Sequence, residues 1–197
     1  MNKKFLSLFL CGALVSGSAG MFVSCPEEHS EYSEVDNVIY EAFSEQHGIE
    51  TGKFMRQHFI EERLKDTYIP ELSLVAVLEN ERIIGEAAIH ETNVITDNGN
   101  ITELTLSQCA VLPEYRKQGI MRMLVEEGLQ IAKNMGYGAV FLGGNTMLYS
   151  RFGFEPSYKY GIYHKDREKW GDEGFMVYLL RQGALDGITG ITDYYGG

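Results

Sequence analysis

The most informative stretch of this chain is the loop Pro113-Glu114-Tyr115-Arg116-Lys117-Gln118-Gly119, which connects an apolar strand to an amphipathic helix. The spacing of apolar residues predicts the strand over residues 101–112 and the helix over residues 120–135. No Ser, Thr, Asp or Asn stands just before the helix to cap it, and two cations stand near that place instead. Because a helix start has unpaired N–H groups and partial positive charge, this arrangement predicts a bound anion, most often phosphate. The alternative is a plain strand–turn–helix corner with a solvated basic face.

The glycine spacing of this loop excludes two common phosphate-binding motifs. The loop does not read G-x-x-x-x-G-K-[ST], so it is not the phosphate loop of nucleotide hydrolases. It does not read G-x-G-x-x-G either, which is the fingerprint of dinucleotide-binding folds. If the loop binds an anion, the remaining guest is a pyrophosphate that belongs to another cofactor.

Composition indicates one globular domain with an acidic surface. The chain has 197 residues, of which 44% are hydrophobic, and a formal net charge of −11. Such a surface repels nucleic acid and anionic membranes and favours cationic partners. The cysteines are Cys11, Cys25 and Cys109, and neither C-x-x-C nor H-E-x-x-H occurs. The five histidines are scattered, so no metal site is predicted.

The N-terminus has the pattern of a secretory leader. Lys3 and Lys4 precede an uncharged apolar run over residues 5–23. Phe22-Val23-Ser24-Cys25 resembles the cleavage box of bacterial lipoproteins, in which the cysteine is acylated. Residues 1–24 are therefore predicted to be a signal peptide or membrane leader with lipidation at Cys25, and residues 25–197 the globular domain. An uncleaved membrane anchor is the alternative.

Pattern and turn signals predict an α/β (α+β) fold with a mixed, mostly antiparallel sheet. Two helices come first, then an antiparallel meander, then a strand–helix–strand unit. The predicted helices cover residues 33–46, 52–65, 120–135 and 145–152. The predicted strands cover residues 72–78, 82–95, 101–112, 139–142, 158–164 and 175–180, with a hairpin turn at residues 96–100.

Three ordered motifs resemble the GNAT N-acetyltransferases. The stretch from Val111 through Arg116 and Gly119 is similar to their acetyl-CoA-binding motif, Gln/Arg-x-x-Gly-x-Gly/Ala. Tyr149-Ser150-Arg151-Phe152-Gly153-Phe154 resembles their Tyr-x-x-x-Gly-Phe segment. The tail from Gly183 to Tyr194 resembles that of the YhbS-type bacterial subgroup. Together these motifs cover roughly residues 33–195, and three signals in order are far more specific than one.

The resemblance implies a single domain with helices on both faces of the sheet and an acetyl-CoA site. Backbone amides from Lys117 to Arg122 would hold the pyrophosphate, with Arg116 as a nearby cation. The pantetheine arm would run along the strand end that contains Cys109, and Asn145 would also contact the cofactor. Met121 departs from the family, which has a small residue there. The implied cofactor residues are Cys109, Ala110, Val111, Arg116, Lys117, Gln118, Gly119, Ile120, Met121, Arg122 and Asn145.

The resemblance also assigns catalytic roles. The backbone N–H of Cys109 would stabilise the negative charge that develops on the acetyl carbonyl oxygen. Tyr149 would protonate the departing thiolate, although a core tyrosine is the alternative. The base is not assigned by the resemblance, because several relatives have a glutamate where this chain has Thr105. Glu103, which shares a strand face with Cys109, would accept the proton of the amine directly or through water. An exposed strand carboxylate is the alternative. Acylation of the Cys109 thiol is not favoured, because no His adjoins it in the sequence.

These observations predict an N-acetyltransferase that moves acetyl from acetyl-CoA to a small-molecule or protein amine by direct attack. The acidic surface favours a cationic acceptor. The alternative is a lipid-anchored acyl-CoA-binding module, or a degenerate relative without activity. The catalytic domain is expected in the cytoplasm, where acetyl-CoA is made, whereas the leader predicts export. Contact with a membrane is expected only through the leader, and homodimer formation is left open.

Overall fold

The structure, a computed structural model, describes residues 14–17 and 20–193, with side chains from residue 24 onward. Residues 1–13, which carry most of the predicted leader, lie outside the described residues. The chain divides into two compact units, one of residues 1–88 and 108–128, the other of residues 89–107 and 129–197. Strands β4 (Ile83–Thr96) and β5 (Gly99–Val111) and helix α3 (Ile120–Asn134) each contribute residues to both units.

The first unit is built from an antiparallel meander and two helices. Strand β1 (Leu14–Gly17) pairs with β2 (Gly20–Pro26), and β2 pairs with β3 (Tyr68–Leu78). Strand β3 is hydrogen-bonded in turn to β4. In the register of β2 on β3, Cys25 lies opposite Val75, and the Cys25 side chain is buried. Residues near Cys25 that the sequence assigned to a leader therefore form a strand of this sheet.

Helices α1 (Tyr32–His47) and α2 (Ile49–Glu62) belong to the first unit. On α1 the buried residues recur three and four positions apart, which gives one apolar stripe. These residues are Val35, Val38, Ile39 and Ala42. The described residues contain no helix that is both long and apolar enough to cross a lipid bilayer.

A buried cluster of charged side chains lies where helix α2 ends. We call Arg63, Glu27 and Asp36 the Arg63 cluster. Arg63 binds Glu27 and Asp36, each at 2.5 Å, and its side chain is 4% exposed. The Glu27 carboxylate also accepts hydrogen bonds from Ser73 at 2.9 Å and Tyr68 at 3.3 Å. Burial raises the pKa of Glu27, and Arg63 opposes that rise. Every charge in the cluster has a partner, as buried charges require.

The second unit has its own apolar core on a mixed set of strands. Strand β5 pairs in parallel with β6 (Ala139–Gly143), and β6 pairs antiparallel with β9 (Phe175–Leu179). Short strand β7 (Glu155–Pro156) pairs with β9. The strand β10 (Gly190–Thr192) pairs with β4 and with β8 (Ile162–His164). The core consists of Val94, Ala139, Phe141, Ile162, Phe175, Val177 and Leu185.

The structure agrees with most of the predicted elements and differs at several ends. Helix α2 begins three residues before its prediction, and β3 begins four residues before. The predicted strand over residues 158–164 is wrong in its first half, because a 3-10 helix spans Ser157–Tyr160 before β8. The predicted helix over residues 145–152 is a short α4 (Thr146–Tyr149) followed by a 3-10 turn. Strands β1, β7 and β10 and helix α5 (Arg167–Gly174) were not predicted.

Candidate cofactor and catalytic site

The predicted anion loop ends at the start of helix α3, where the first amides have no acceptor within the helix. The carbonyl oxygen of Gly119 accepts the first helical bond, from Met123 N–H at 3.0 Å. The amides of Gly119, Ile120 and Met121 therefore have no acceptor within helix α3. Gly119 has a φ of 86°, which a residue with a side chain adopts only at a cost. These amides are the part of the loop that can hold an oxyanion.

Lys117 stands in a conformation that is uncommon for a residue with a side chain. Its φ is 61°, and its side chain is exposed. A non-glycine residue in the left-handed region costs on the order of 1 kcal/mol, and such costs concentrate at ligand sites. The backbone of the loop is therefore held in a shape that local preference does not favour.

Arg116 anchors the loop through its guanidinium group. The Nε atom donates to the carbonyl oxygen of Val111 at 3.2 Å, and Nη2 donates to that of Ala42 at 2.9 Å. Nη1 binds Glu45 at 2.5 Å. Because all three nitrogens have acceptors in helix α1 or strand β5, Arg116 positions the loop amides in this structure. The predicted role as a phosphate cation stays a prediction.

The other loop residues predicted for the cofactor differ in exposure. Ile120 is buried, Met121 and Gln118 are half-buried, and Arg122 is exposed. Arg122 pairs with Glu126 at 2.8 Å, and Gln118 donates to the carbonyl oxygen of Glu114 at 3.3 Å. Met121, which departs from the family pattern, lies in the first turn of helix α3.

The strand end before the loop carries the residues predicted for the pantetheine arm. Ala110 is buried, and Cys109 and Val111 are half-buried. Burial, with a smaller contribution from Glu86, raises the pKa of the Cys109 thiol well above its usual value. The thiol is therefore protonated at neutral pH and is a poor nucleophile.

Tyr149 and Asn145 belong to the second unit. Asn145 caps helix α4, because its side-chain oxygen accepts from Leu148 N–H at 3.2 Å. The Tyr149 ring meets the Phe154 ring edge to face, with 6.0 Å between centroids. The Tyr149 ring also lies close to Gly144, where a Cβ would be 2.6 Å from Tyr149 Cε2. The Tyr-x-x-x-Gly-Phe segment thus fixes the direction of the Tyr149 ring.

Glu103, the predicted base, accepts hydrogen bonds from backbone amides of the second unit. Its Oε2 atom accepts hydrogen bonds from the amides of Gly138 at 2.9 Å and Ala139 at 2.8 Å. A Cβ at Gly138 would lie 2.5 Å from Glu103 Oε1, so a side chain there would displace this carboxyl. Burial raises the pKa of Glu103, and the two amides oppose that rise. Glu103 therefore fixes the chain at the beginning of β6, whatever its part in catalysis.

Sequence reasoning did not single out Glu86, a carboxyl buried in the first unit. Glu86 is 1% exposed on β4, and neither of its oxygens has a hydrogen-bond partner within the described residues. Gln108 on β5 is 5% exposed, and both of its side-chain polar atoms likewise lack partners there. One signal was available, since Glu86 is the only charged residue in the run Ile83-Ile84-Gly85-Glu86-Ala87-Ala88-Ile89.

A groove of about 460 Å³ in the second unit is lined by Ile95, Tyr163, Thr189 and their neighbours. None of the predicted site residues lines it. Among the described residues, no group of three or more His, Cys, Asp or Glu side chains is arranged to hold a metal ion.

The chain is similar to known acetyltransferases both in sequence and in fold. Residues 36–154 match the family described as Acetyltransferase (GNAT) family. The chain is 36% identical over 126 residues to the uncharacterized N-acetyltransferase YhbS of Escherichia coli strain K12, covering 63% of this chain and 72% of that protein. The crystal structure of Escherichia coli YhbS in complex with CoA superposes with a TM-score of 0.71 and 27% identity, over 88% of this chain and 89% of that one.

A second solved structure shares the fold at lower identity. It is a GNAT family acetyltransferase from Brucella melitensis in complex with acetyl-CoA, with a TM-score of 0.64 and 20% identity. The superposition covers 88% of this chain and 96% of that one. The predicted α/β fold with a mixed sheet is therefore confirmed. The chain belongs to the GNAT family of acetyltransferases, whose activity is the transfer of acetyl from acetyl-CoA to an amine.

Proposed function

We propose that the loop between β5 and α3 holds the pyrophosphate of acetyl-CoA in this chain. The observation that carries this proposal is the set of amides at Gly119, Ile120 and Met121 that have no acceptor within helix α3, next to the strained backbone of Lys117. Arg116 holds the loop in place by donating hydrogen bonds to the carbonyl oxygens of Val111 and Ala42. The relatives solved with CoA and acetyl-CoA support the choice of ligand.

Acetyl transfer proceeds by direct attack of the amine on the acetyl carbonyl, without an acyl-enzyme. The raised pKa of the Cys109 thiol supports this route, because a protonated thiol is a poor nucleophile. The backbone N–H of Cys109 stabilises the charge that develops on the carbonyl oxygen. Tyr149 gives a proton to the departing thiolate, and its packing against Phe154 supports a fixed direction for that proton. Asn145 contacts the cofactor from the cap of helix α4.

Glu103 keeps its place as the sequence-derived candidate for the base. Its Oε2 already accepts two amide hydrogen bonds, so proton transfer would involve Oε1 or a bridging water. Burial raises the pKa of Glu103, which makes its carboxylate a stronger base. The acceptor is a cationic amine on a small molecule or a protein, in keeping with the net charge of −11. A homodimer is a further proposal, which sedimentation velocity measures directly.

A second candidate function follows from the lipoprotein-type sequence around Cys25. In it the chain is exported, lipidated at Cys25 and anchored as an acyl-CoA-binding module without catalysis. The pairing of Cys25 with Val75 and its burial weigh against this reading, because processing before Cys25 removes most of β2. Intact-mass measurement on fractionated cells separates the two. A lipidated Cys25 at the N-terminus supports the module, and an unprocessed chain in the cytoplasm supports the enzyme.

Calorimetry and turnover test the proposed cofactor site together. We expect the full chain to bind acetyl-CoA, and we expect Gly119→Ala to weaken binding, because the new Cβ strains the loop at a φ of 86°. Tyr149→Phe should lower kcat by about 10²-fold or more, with little change in acetyl-CoA affinity. Unchanged turnover in Tyr149→Phe contradicts the acid assignment. Unchanged affinity in Gly119→Ala contradicts the loop assignment.

A further inference from the structure

Glu86 and Gln108 form a buried polar pair that the interactions of the first unit leave unexplained. Each side chain is at least nine-tenths buried, at 1% and 5% exposure. Four of their polar atoms, both oxygens of Glu86 and the oxygen and nitrogen of Gln108, have no hydrogen-bond partner within the described residues. Buried polar groups almost always have partners, so each exception calls for an explanation. We name these two residues the Glu86–Gln108 pair.

The strand register places both members of the pair on one face. Leu112 N–H donates to the carbonyl oxygen of Ile84 at 3.0 Å, which sets Ile84 opposite Leu112 in the antiparallel pair of β4 and β5. Counting along the strands then sets Glu86 opposite Ala110, and Gln108 lies two residues before Ala110 on the same face of β5. Such diagonal neighbours lie about 7–8 Å apart, with their Cβ atoms somewhat closer, which is within reach of two long side chains.

The charges around Glu86 do not neutralise it. Glu27 after β2 and Asp36 on α1 are acidic, and Cys109 on β5 is a neutral thiol. The nearby cation is Arg63, which already binds Glu27 and Asp36. The Ala110 amide acts on Glu86 electrostatically, although it does not reach hydrogen-bond geometry. The missing partner of Glu86 is therefore a cation or a strong N–H donor from outside this unit.

The position along β5 identifies the reaction that such a partner takes part in. Gln108 immediately precedes Cys109, whose amide the proposed function directs at the acetyl carbonyl. A group bound by Gln108 is thus held next to the residue whose amide faces the acetyl carbonyl in the proposed function. A carboxylate and an amide carbonyl both accept N–H bonds, which a primary ammonium group can donate three at a time. Phosphate is excluded here, because its charge has the same sign as that of Glu86.

We propose that the Glu86–Gln108 pair receives the ammonium group of the acceptor and that Glu86, in place of Glu103, takes its first proton. This inference rests on the proposed acetyl transfer. The ammonium N–H bond breaks and a carboxyl O–H bond forms, which frees the nitrogen lone pair to form the C–N bond. The C–S bond then breaks, the thiolate takes the Tyr149 proton, and the second proton of the nitrogen restores Tyr149. Glu86 afterwards releases its proton to solvent.

Two properties of the site support this role and narrow the acceptor. Burial, followed by the Glu27 carboxylate, raises the pKa of Glu86 well above its usual 4.5, which makes it a better base near neutral pH. Because the carboxyl is only 1% exposed, we expect that an amine on an unbranched methylene stem reaches it more readily than a hindered one. The acceptor class is therefore a slender primary alkylamine, such as a lysine side chain or a linear diamine.

Glu86→Gln tests the proposal, since it keeps the shape of the side chain and removes the base. Thiol release from acetyl-CoA would be followed with 1,4-diaminobutane, with tert-butylamine and with hydroxylamine, which is largely uncharged at neutral pH. We expect kcat for the diamine to fall by about 10²-fold or more in Glu86→Gln, while hydroxylamine loses much less because it needs no deprotonation. Wild-type enzyme should use the diamine and reject the hindered amine. Glu79→Gln, an exposed change in the same unit, serves as the matched control.

A binding measurement separates failure of this inference from failure of the proposed function. Binding of 1,4-diaminobutane to the CoA-loaded full chain would be measured by calorimetry for wild type, Glu86→Gln and Gln108→Leu. Weaker binding in both variants supports the pair even if no amine is turned over, in which case the proposed transfer alone fails. Diamine turnover and binding that are unchanged in Glu86→Gln overturn the inference and leave the acetyltransferase intact.

Discussion

The Arg63 cluster and the Glu86–Gln108 pair lie in the same unit and differ in how they treat a buried carboxylate. Glu27 has Arg63, Ser73 and Tyr68 as partners, whereas Glu86 has none within the described residues. Burial raises the pKa of both carboxyls, but only Glu27 has an adjacent cation that opposes the rise directly. The difference indicates that the fold can satisfy a buried charge where stability requires it. A carboxylate left without partners is therefore best explained by a ligand.

The largest expected effect comes from breaking the satisfied cluster. Arg63→Met should lower the free energy of unfolding by about 3–5 kcal/mol, because Glu27 and Asp36 then remain buried without a cation. Urea unfolding of the purified chain measures this loss. The matched change Arg122→Met removes an exposed pair with Glu126 and should cost only about 0.3–0.5 kcal/mol. Equal losses in the two variants would contradict a structural role for the Arg63 cluster.

A smaller effect is expected at Glu103, the buried carboxyl of the second unit. Glu103→Ala should lower the free energy of unfolding by about 2–3 kcal/mol, since the amides of Gly138 and Ala139 lose their acceptor. Glu103→Gln keeps one acceptor oxygen and should lose less. Thermal unfolding of both variants checks the order. If Glu103→Ala is as stable as wild type, Glu103 does not fix the beginning of β6.

Glu86→Gln should move stability in the opposite direction. Removing an unpartnered buried carboxylate should raise the free energy of unfolding by about 1–2 kcal/mol at neutral pH. Because the folded pKa of Glu86 lies above its usual 4.5, the folded state binds the proton more tightly, and wild-type stability falls as pH rises above 4.5. The advantage of Glu86→Gln should therefore grow with pH. A variant that is less stable at every pH would show that Glu86 is a structural residue.

The smallest effect is expected at Lys117, where strain instead of charge is at issue. Lys117→Gly relieves a φ of 61° and should raise the free energy of unfolding by less than about 1 kcal/mol. Lys117→Met keeps the strain and removes the cation, so it should leave stability unchanged. Denaturant midpoints for the two variants, read beside their acetyl-CoA affinities, separate the contributions of backbone shape and charge.

The fold could be predicted from the sequence wherever the signals are local. The loop before Ile120, the hairpin near residue 98 and the apolar stripe of α1 depend on neighbours within a few positions, and each was found. The first half of the strand predicted at residues 158–164 was wrong because its aromatic residues suit a strand as well as a 3-10 helix. Short β10 was missed because its partners β4 and β8 are distant in the sequence.

The sequence predicted only those residues of the candidate site that belong to a recognisable motif. The loop amides and Tyr149 come from motifs, and the structure adds how Arg116 and Phe154 position them. The bonds from Glu103 to Gly138 and Ala139 join residues some 35 positions apart, so no local pattern reveals them. Likewise, the isolation of Glu86 becomes visible only when the register of β4 on β5 and the partners of Arg63 are known.

The most direct test of the unpartnered carboxylate is its own titration. Carboxyl carbon-13 labelling of glutamate, with Glu86→Gln to assign the signal, would follow Glu86 in the CoA-loaded chain with and without 1,4-diaminobutane. The account predicts a free pKa above 4.5 that falls when the diamine binds, because an ammonium group favours the charged carboxylate. A Glu86 signal whose pKa does not change at saturating diamine would contradict the account.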